Sequence, residues 1–558
     1  MSSLLTLLSV SIFYLVGIYD MWTGLRTLVI DAVATYAIAY FIQGPYMPWI
    51  GFIFLMGRMS VNHLIRQLDN APTAIDITGA QMVNIMKLSA FCWNVFDGRY
   101  PDSELTESQK ERAIRQLPNL LDYAGYVLFF PGLLVGPAFD YVDYQSYITT
   151  SMFNLPPGTD PSKAPPTRKK RRIPRSGRYA AWKAATGLAW ILVFLQLSNL
   201  YFRDYYLTDE FMKYGFFRRI FQLYMLGVTQ RTKYYGVWAL SEGACILAGI
   251  GYRGVDPVTG KPAWDRLTNV QPFKIELAQN VHDYIGYWNI NTNHWLRNYV
   301  YLRVTPKGKK PGFRASLATF FTSAFWHGFY PGYYLTFMLS SFFQTIAKCK
   351  CCKSLLPLLR SKLTSVRKDG RRLLRPLFLE ADGKTPTPNK RYYDIFTWFV
   401  TQVAFAFAVS PFIILDFASC IKVWGRVYFY AIIGTAACFG FLQSPGRKWL
   451  QEQVKKRTGA EKPGLERVKS VERMPTLGMP DDPERAVDEI VQEVKAEIER
   501  RRAEGIQLPD VRELIRQKLE EGREGLTGEK ERRTRANSLV VNTAAEKVVS
   551  DEEKKKNL

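Results

Sequence analysis

The chain has 558 residues, 47% of them apolar, and its mean hydropathy of -0.12 is that of an ordinary soluble protein. That average hides two unlike parts: long apolar and aromatic stretches joined by basic connectors up to about Gln443, then a charge-dense region almost free of aromatics from Ser444. Residues 446–558 hold 26 Lys and Arg against 24 Asp and Glu, so nearly all of the net charge of +24 lies on the apolar part.

Nucleic-acid binding is one source of such an excess. Here the cations flank apolar spans: Arg168, Lys169, Lys170, Arg171 and Arg172 precede one, and Lys307, Lys309, Lys310 and Arg314 precede another. That placement suits positive-inside loops and anionic headgroups, so the expected partners are membrane lipids and not nucleic acid.

A bilayer-spanning helix needs roughly 20 mostly apolar residues. In chain order the candidates are 3–19, 23–43, 46–66, 80–96, 120–138, 181–201, 216–229, 235–251, 314–347, 394–418 and 423–443. Two are weak, because 216–229 is short and 46–66 carries Arg58, Asn62 and His63. The stretch 314–347 suffices for one tilted span or a span plus a re-entrant piece. The expected fold is all-α and polytopic, with about ten or eleven membrane helices. The apolar stretch from Leu4 lacks a positive n-region and a small-residue cleavage site, so it reads as a membrane helix and not a removed signal peptide. Its abrupt start leaves room for a helix or two upstream.

The connectors 97–119, 139–180, 252–280 and 348–393 are long. Residues 156–180 are Pro-rich and basic, which reads as flexible and cytosolic. Loops 252–313 and 348–393 mix polar and aromatic residues, a composition of folded or functional loops. The boundary near Gln443 divides the chain into a membrane part, 1–445, and a tail, 446–558. In the tail Val487, Ile490, Val491, Val494 and Ile498 repeat at helical spacing after Asp481, Asp482 and Pro483, a helix entry. A second tail helix is expected from Pro509 to Arg523. The end, Lys555-Lys556-Asn557-Leu558, resembles a dilysine retrieval signal of endoplasmic-reticulum membrane proteins, which implies a cytosolic C-terminus.

The seven cysteines imply no disulfide framework. Cys349, Cys351 and Cys352 look like half a zinc site without its second half. Beside lysines at a membrane edge, S-palmitoylation fits them better, and unmodified thiols better still. No GxxxxGK[ST], HExxH or GxSxG pattern is present, and the four histidines are too dispersed for a metal site.

His63, His282, His294 and His327 are those histidines. A lone histidine in a membrane helix is more often satisfied within the bundle than catalytic. The neighbours of His327 change that balance: Ser323-Ala324-Phe325-Trp326 precede it, and Gly328, Pro331 and Gly332 follow. Ionisable residues at membrane depth are costly and usually functional. Gly328 removes bulk beside the imidazole and Pro331 disturbs the helix, opening room for a ligand in which a neutral imidazole can accept a proton. A second cluster runs from Trp288 through Asn289, Asn291, Asn293, Trp295 and Arg297 to Tyr301 and Arg303. Asn289, Asn293 and Arg297 are four apart and share a face if helical. Such a row suits a polar cavity; on spacing alone a water-exposed loop helix explains it equally well.

Together these segments resemble the membrane-bound O-acyltransferase family. The resemblance is carried by Trp288-Asn289, Asn291-Thr292-Asn293 and Trp295-Leu296, then Trp326-His327-Gly328 and Pro331-Gly332-Tyr333-Tyr334. Within that family the chain is similar to the fungal broad-specificity lysophospholipid acyltransferases of the endoplasmic reticulum. Asp76-Ile77-Thr78, Gly136-Pro137-Ala138-Phe139-Asp140-Tyr141, Ser241-Glu242-Gly243, Trp264-Asp265-Arg266 and Lys307 through Arg314 also match. The resemblance covers roughly residues 10–445 and does not extend to the tail; the chain begins later than such proteins do.

The resemblance implies an intramembrane catalytic chamber with His327 as catalytic histidine and Asn289 as its partner. It implies acyl-CoA as co-substrate from the cytosolic side, no cofactor, and a lysophospholipid acceptor from the bilayer. Trp288, Asn293, Trp295, Arg297, Tyr301, Arg303, Lys307, Trp326, Gly328 and Tyr333 are the expected substrate contacts, although positive-inside topology accounts for the basic ones as well. The rivals are another acceptor (a sterol, diacylglycerol or a protein) and a transporter using His327 as proton relay. A transporter predicts repeats or intramembrane carboxylates, and no clear repeat is visible.

Overall fold

The computed structural model describes residues 8–69, 76–155, 164–169, 172–255, 261–305, 312–348, 378–379, 386–446, 449–450 and 452–453. Lys307, Lys309, Lys310, the cysteines at 349–352 and nearly all of the tail, with its expected helices and dilysine-like end, lie outside the described residues.

Within them the protein is helical, and its β-structure is a pair of two-residue strands, Gly254–Val255 against Pro262–Ala263. The long N-terminal helices are α1 (Trp22–Phe41), α2 (Met47–Leu68) and α3 (Thr78–Asp97). Next come α4 (Gly177–Leu200) and α5 (Phe216–Ala248), then the short α6 (Ile290–Leu296). A helical hairpin follows, α7 (Phe313–His327) and α8 (Pro331–Lys348), and then α9 (Lys390–Ile414), α10 (Phe417–Arg426) and α11 (Tyr430–Gln443).

Three helical segments among the described residues are long and apolar enough to cross a membrane alone: Trp22–Phe41, Gly177–Leu207 and Lys390–Ile414. The pair α10 and α11, bent by 76° at their junction, is a fourth candidate. On α4 the side chains of Trp182, Leu188, Leu192 and Leu195 are exposed, a pattern that needs lipid as its solvent. Other expected spans are shorter helices or carry polar residues, as α2 does with Arg58 and Asn62 and α3 with Gln81. Those residues are partnered inside the protein. Arg58 of α2 donates to Asp31 of α1 at 3.0 Å, Gln81 of α3 donates to the same carboxylate at 2.8 Å, and Asn62 donates to Gln81 at 2.6 Å. Polar groups therefore tie α1, α2 and α3 together where apolar contact with lipid would give no preference between helices.

Two expectations need correction, and a third resolves into one of its alternatives. Residues 216–229 and 235–251 are one helix, α5, because the polar residues between them are satisfied in place: Arg231 pairs with Glu276 at 2.6 Å and the Thr232 hydroxyl donates to the Thr229 carbonyl at 2.7 Å. Residues 120–138 are not a span. The helix Leu120–Val127 gives way to a tight turn at Phe130–Gly132, where Pro131 and then Pro137 interrupt the backbone ladder. Residues 314–347, expected as one tilted span or a span plus a re-entrant piece, break at Gly328 into α7 and α8.

The two largest apolar cores meet at this hairpin. Trp326 on α7 packs with the α1–α3 core, while Leu339 and Phe343 on α8 pack with the core formed by α5, α9 and α10. Gly332 makes the second junction possible. Its N–H donates to the Leu415 carbonyl at 2.9 Å, and a Cβ there would lie 2.0 Å from the Pro411 carbonyl oxygen. The tip of the hairpin is thereby pressed against the end of α9.

Candidate active site

Thr319, Ser323 and His327 follow one another at four-residue spacing along α7 and so occupy one face. All three line a cavity of about 890 Å3 enclosed by α5, α6, α7, α8 and α9. The helix ends at His327 because Gly328 has φ +119, a conformation that L side chains rarely adopt. The imidazole is caged by rings: Phe337 stacks on it at 5.3 Å, Phe412 meets it edge-on at 4.9 Å, and Tyr333 lies at 5.5 Å. No described residue hydrogen-bonds the ring, so its nitrogens are open to a ligand.

The opposite wall comes from the Trp288–Leu296 segment. Asn289 sits in the left-handed region (φ 46, ψ 55), which asparagine tolerates better than most residues, and it launches α6. Its Oδ1 accepts a hydrogen bond from the Thr292 hydroxyl at 2.8 Å, while its Nδ2 has no partner among the described residues. Trp288 lines the cavity, packed against Trp238 and Tyr234 at 5.0 and 5.6 Å. Asn293 also lines it, but its amide N–H groups are spent on the carbonyls of Trp288 and Ile285 at 2.7 and 2.9 Å. Asn293 therefore holds the loop in shape.

The structure thus brings His327, Asn289, Trp288, Asn293 and Tyr333 together on one cavity. Other expected substrate contacts stand elsewhere. Arg297 opens a π-helical turn, Arg297–Tyr301, and does not share the cavity face with Asn289 and Asn293. Trp295 is buried and donates from Nε1 to Ser89 at 2.9 Å. Trp326 is buried and donates from Nε1 to the Met82 carbonyl at 3.1 Å. Tyr301 packs with Ala315 and Phe320. Arg303 forms a two-pronged ion pair with Asp97, one arm at 2.8 Å, and lies over the Trp93 ring at 4.2 Å. Gly328 is beside the cavity wall and backs onto His63. Lys307 lies outside the described residues.

Several cavity residues escape a motif search. Thr336 and Tyr330 line the cavity with buried hydroxyls that have no partner among the described residues, and such groups call for a polar ligand. The four-residue spacing of Thr319 and Ser323 from His327, and of Thr336 from Ser340, is visible in the sequence and marks both faces. A smaller cavity of about 220 Å3 lies behind α6, lined by its Asn291, His294 and Trp295 together with Lys87, Asp143 and Arg266. Among the described residues no group of three or more His, Cys, Asp or Glu is placed to hold a metal ion.

Comparison with known proteins matches residues 69–352 to MBOAT, the membrane-bound O-acyltransferase family, a stretch that includes Asn289 and His327. The chain is 42% identical over 464 residues to the lysophospholipid acyltransferase of Saccharomyces cerevisiae, covering 82% of this chain and 72% of the relative. The chain belongs to the membrane-bound O-acyltransferase family. A second relative, the lysophospholipid acyltransferase of Schizosaccharomyces pombe, is 41% identical over 461 residues, 82% of this chain and 84% of its own. The human membrane-bound glycerophospholipid O-acyltransferase 2 is 28% identical over 412 residues, 73% of this chain and 72% of its own. As a member of this O-acyltransferase family the protein is membrane-bound and multi-pass.

Proposed function

We propose that the protein transfers a fatty acyl group from acyl-CoA to the free hydroxyl of a lysophospholipid, giving a diacyl phospholipid, with His327 as general base and Asn289 as hydrogen-bond donor. One observation carries the site assignment: His327 and Asn289, distant in the chain, line the same ring-walled cavity with side-chain nitrogens that no described residue engages. The acceptor class rests on the two yeast relatives, both lysophospholipid acyltransferases.

In this mechanism the His327 imidazole takes the proton of the glycerol hydroxyl as its oxygen attacks the thioester carbonyl. The Asn289 Nδ2 donates to the developing oxyanion, where loss of one such donor typically costs about 3–4 kcal/mol of barrier. The ester C–O bond forms, the C–S bond breaks, and the proton on His327 passes to the departing thiolate, releasing CoA with its free thiol. Tyr333, Phe337 and Phe412 exclude water from the histidine, which keeps the thioester from hydrolysis. Arg303, committed to Asp97, is not assigned to CoA.

The endoplasmic-reticulum membrane is the proposed location and residues 446–558 a separate cytosolic tail, on the strength of the tail's composition and of Lys555 and Lys556 near its end. Purified enzyme given labelled acyl-CoA and a panel of lysophospholipids, diacylglycerol and sterol should form labelled diacyl phospholipid. His327→Ala should abolish transfer while remaining folded, and Asn289→Ala should lower turnover more than CoA binding. Substantial transfer by His327→Ala would overturn the assignment of the base.

A further inference from the structure

We infer that His63, on α2, is a positioning residue that aims His327 through the backbone turn between α7 and α8; this rests on the reading of His327 as the base. The last carbonyls of a helix have no partner within it. On α7 the carbonyl of Trp326, immediately before His327, is met by His63 Nε2 at 3.1 Å. A carbonyl only accepts, so Nε2 is the protonated nitrogen of that ring. His63 is buried and does not line the cavity, which separates it from direct contact with substrate.

The turn is shaped to receive this ring. A Cβ on Gly328 would stand 3.1 Å from His63 Nδ1 and 3.2 Å from its Cγ, so the missing side chain is what lets the imidazole lie against the backbone. The Trp326 indole is held independently by the Met82 carbonyl of α3. The residue before His327 is therefore fixed at its backbone by α2 and at its side chain by α3. Among the described residues His327 itself has no hydrogen-bonding orienter, and its ring contacts restrain position more loosely than a hydrogen bond fixes direction. A histidine base is ordinarily oriented by an acceptor on its second nitrogen. Here that task falls to the turn, and His63 is the side chain that holds it.

The test compares His63→Leu, which fills the space without a donor, with His63→Gln, whose carboxamide can still donate to the Trp326 carbonyl. Both are made in the full chain, purified in detergent and checked for a monodisperse peak. For His63→Leu we expect kcat to fall by about 10- to 100-fold, the scale of a small misplacement of a reacting group. KM for acyl-CoA and for lysophospholipid should stay the same, and His63→Gln should recover most of the loss. Should His63→Leu not be recovered as folded protein, His63→Met, of similar length and also without a donor, takes its place. An unchanged kcat, a loss confined to KM, or no recovery by His63→Gln would overturn the inference. His327→Ala assayed alongside separates the two levels: if it is active, the base assignment fails, and if it is inactive while His63→Leu turns over normally, only the role of His63 fails.

Discussion

The hydroxyl of Thr292 donates to the Asn289 side-chain oxygen at 2.8 Å, and this contact leaves the Nδ2 end of the amide free on the cavity side. With Oδ1 engaged, Nδ2 is the atom left for a ligand. Thr292→Val keeps the shape and removes the donor. A hydrogen bond of this kind is worth about 1 kcal/mol, so kcat should fall by roughly fivefold, with little change in thermal stability. Steady-state kinetics checks this; an unchanged kcat with weakened acyl-CoA binding would count against an oriented donor.

Arg303 stood among the expected substrate contacts, and its geometry points to a different role. Its guanidinium is engaged by Asp97 on both arms and by the Trp93 ring, with both charged side chains largely buried. Removing one member of a buried pair costs about 3–5 kcal/mol, so Arg303→Ala should lower the melting temperature markedly. Whatever folded enzyme remains should keep its KM for acyl-CoA. Arg303→Lys should restore only part of the stability, because a single ammonium cannot reproduce a two-pronged, ring-stacked contact. A normal melting temperature with a raised KM would return Arg303 to the substrate.

A third test concerns the cavity's far wall. Glu276 accepts from Arg231 through two bonds of 2.7 and 2.6 Å and from the Tyr235 hydroxyl at 2.7 Å. Arg231 in turn donates to Tyr284, whose ring stacks on Phe405 at 3.9 Å. Glu276→Leu or Arg231→Met alone leaves a buried charge uncompensated and should destabilise by about 3–5 kcal/mol. The double variant should be more stable than either single one. Thermal unfolding in detergent across the four proteins decides, and additive losses would mean that the two residues do not act as a pair.

What could be read in advance was local. His327 announced itself because a histidine between Trp326 and Gly328, with Pro331 beyond, is costly in lipid unless it has a task. Asn289 and Trp288 were legible as cavity residues through their cluster, yet the same cluster pointed equally to Arg297, which does not line the cavity. Arg303 and Trp295 were misplaced for another reason: their partners, Asp97 and Ser89, are 206 residues away in each case. No local pattern contains such a pairing. For the same reason the polar centre of α5 read as a break, because Glu276 lies 45 residues further on from Arg231. Tyr330, in the turn between α7 and α8, carried no signal, and Thr336 carried only its four-residue spacing from Ser340.

Helix α6 stands between two cavities. On one side are Asn289, Thr292 and Asn293; on the other, Asn291 and His294 border a second, polar hollow. Its Trp295 and Leu296 pack into the α1–α3 core, so only the stretch around Asn291 and His294 is backed by the hollow. A change in the side chains behind α6 therefore has a path only one helix thick to the cavity in front of it.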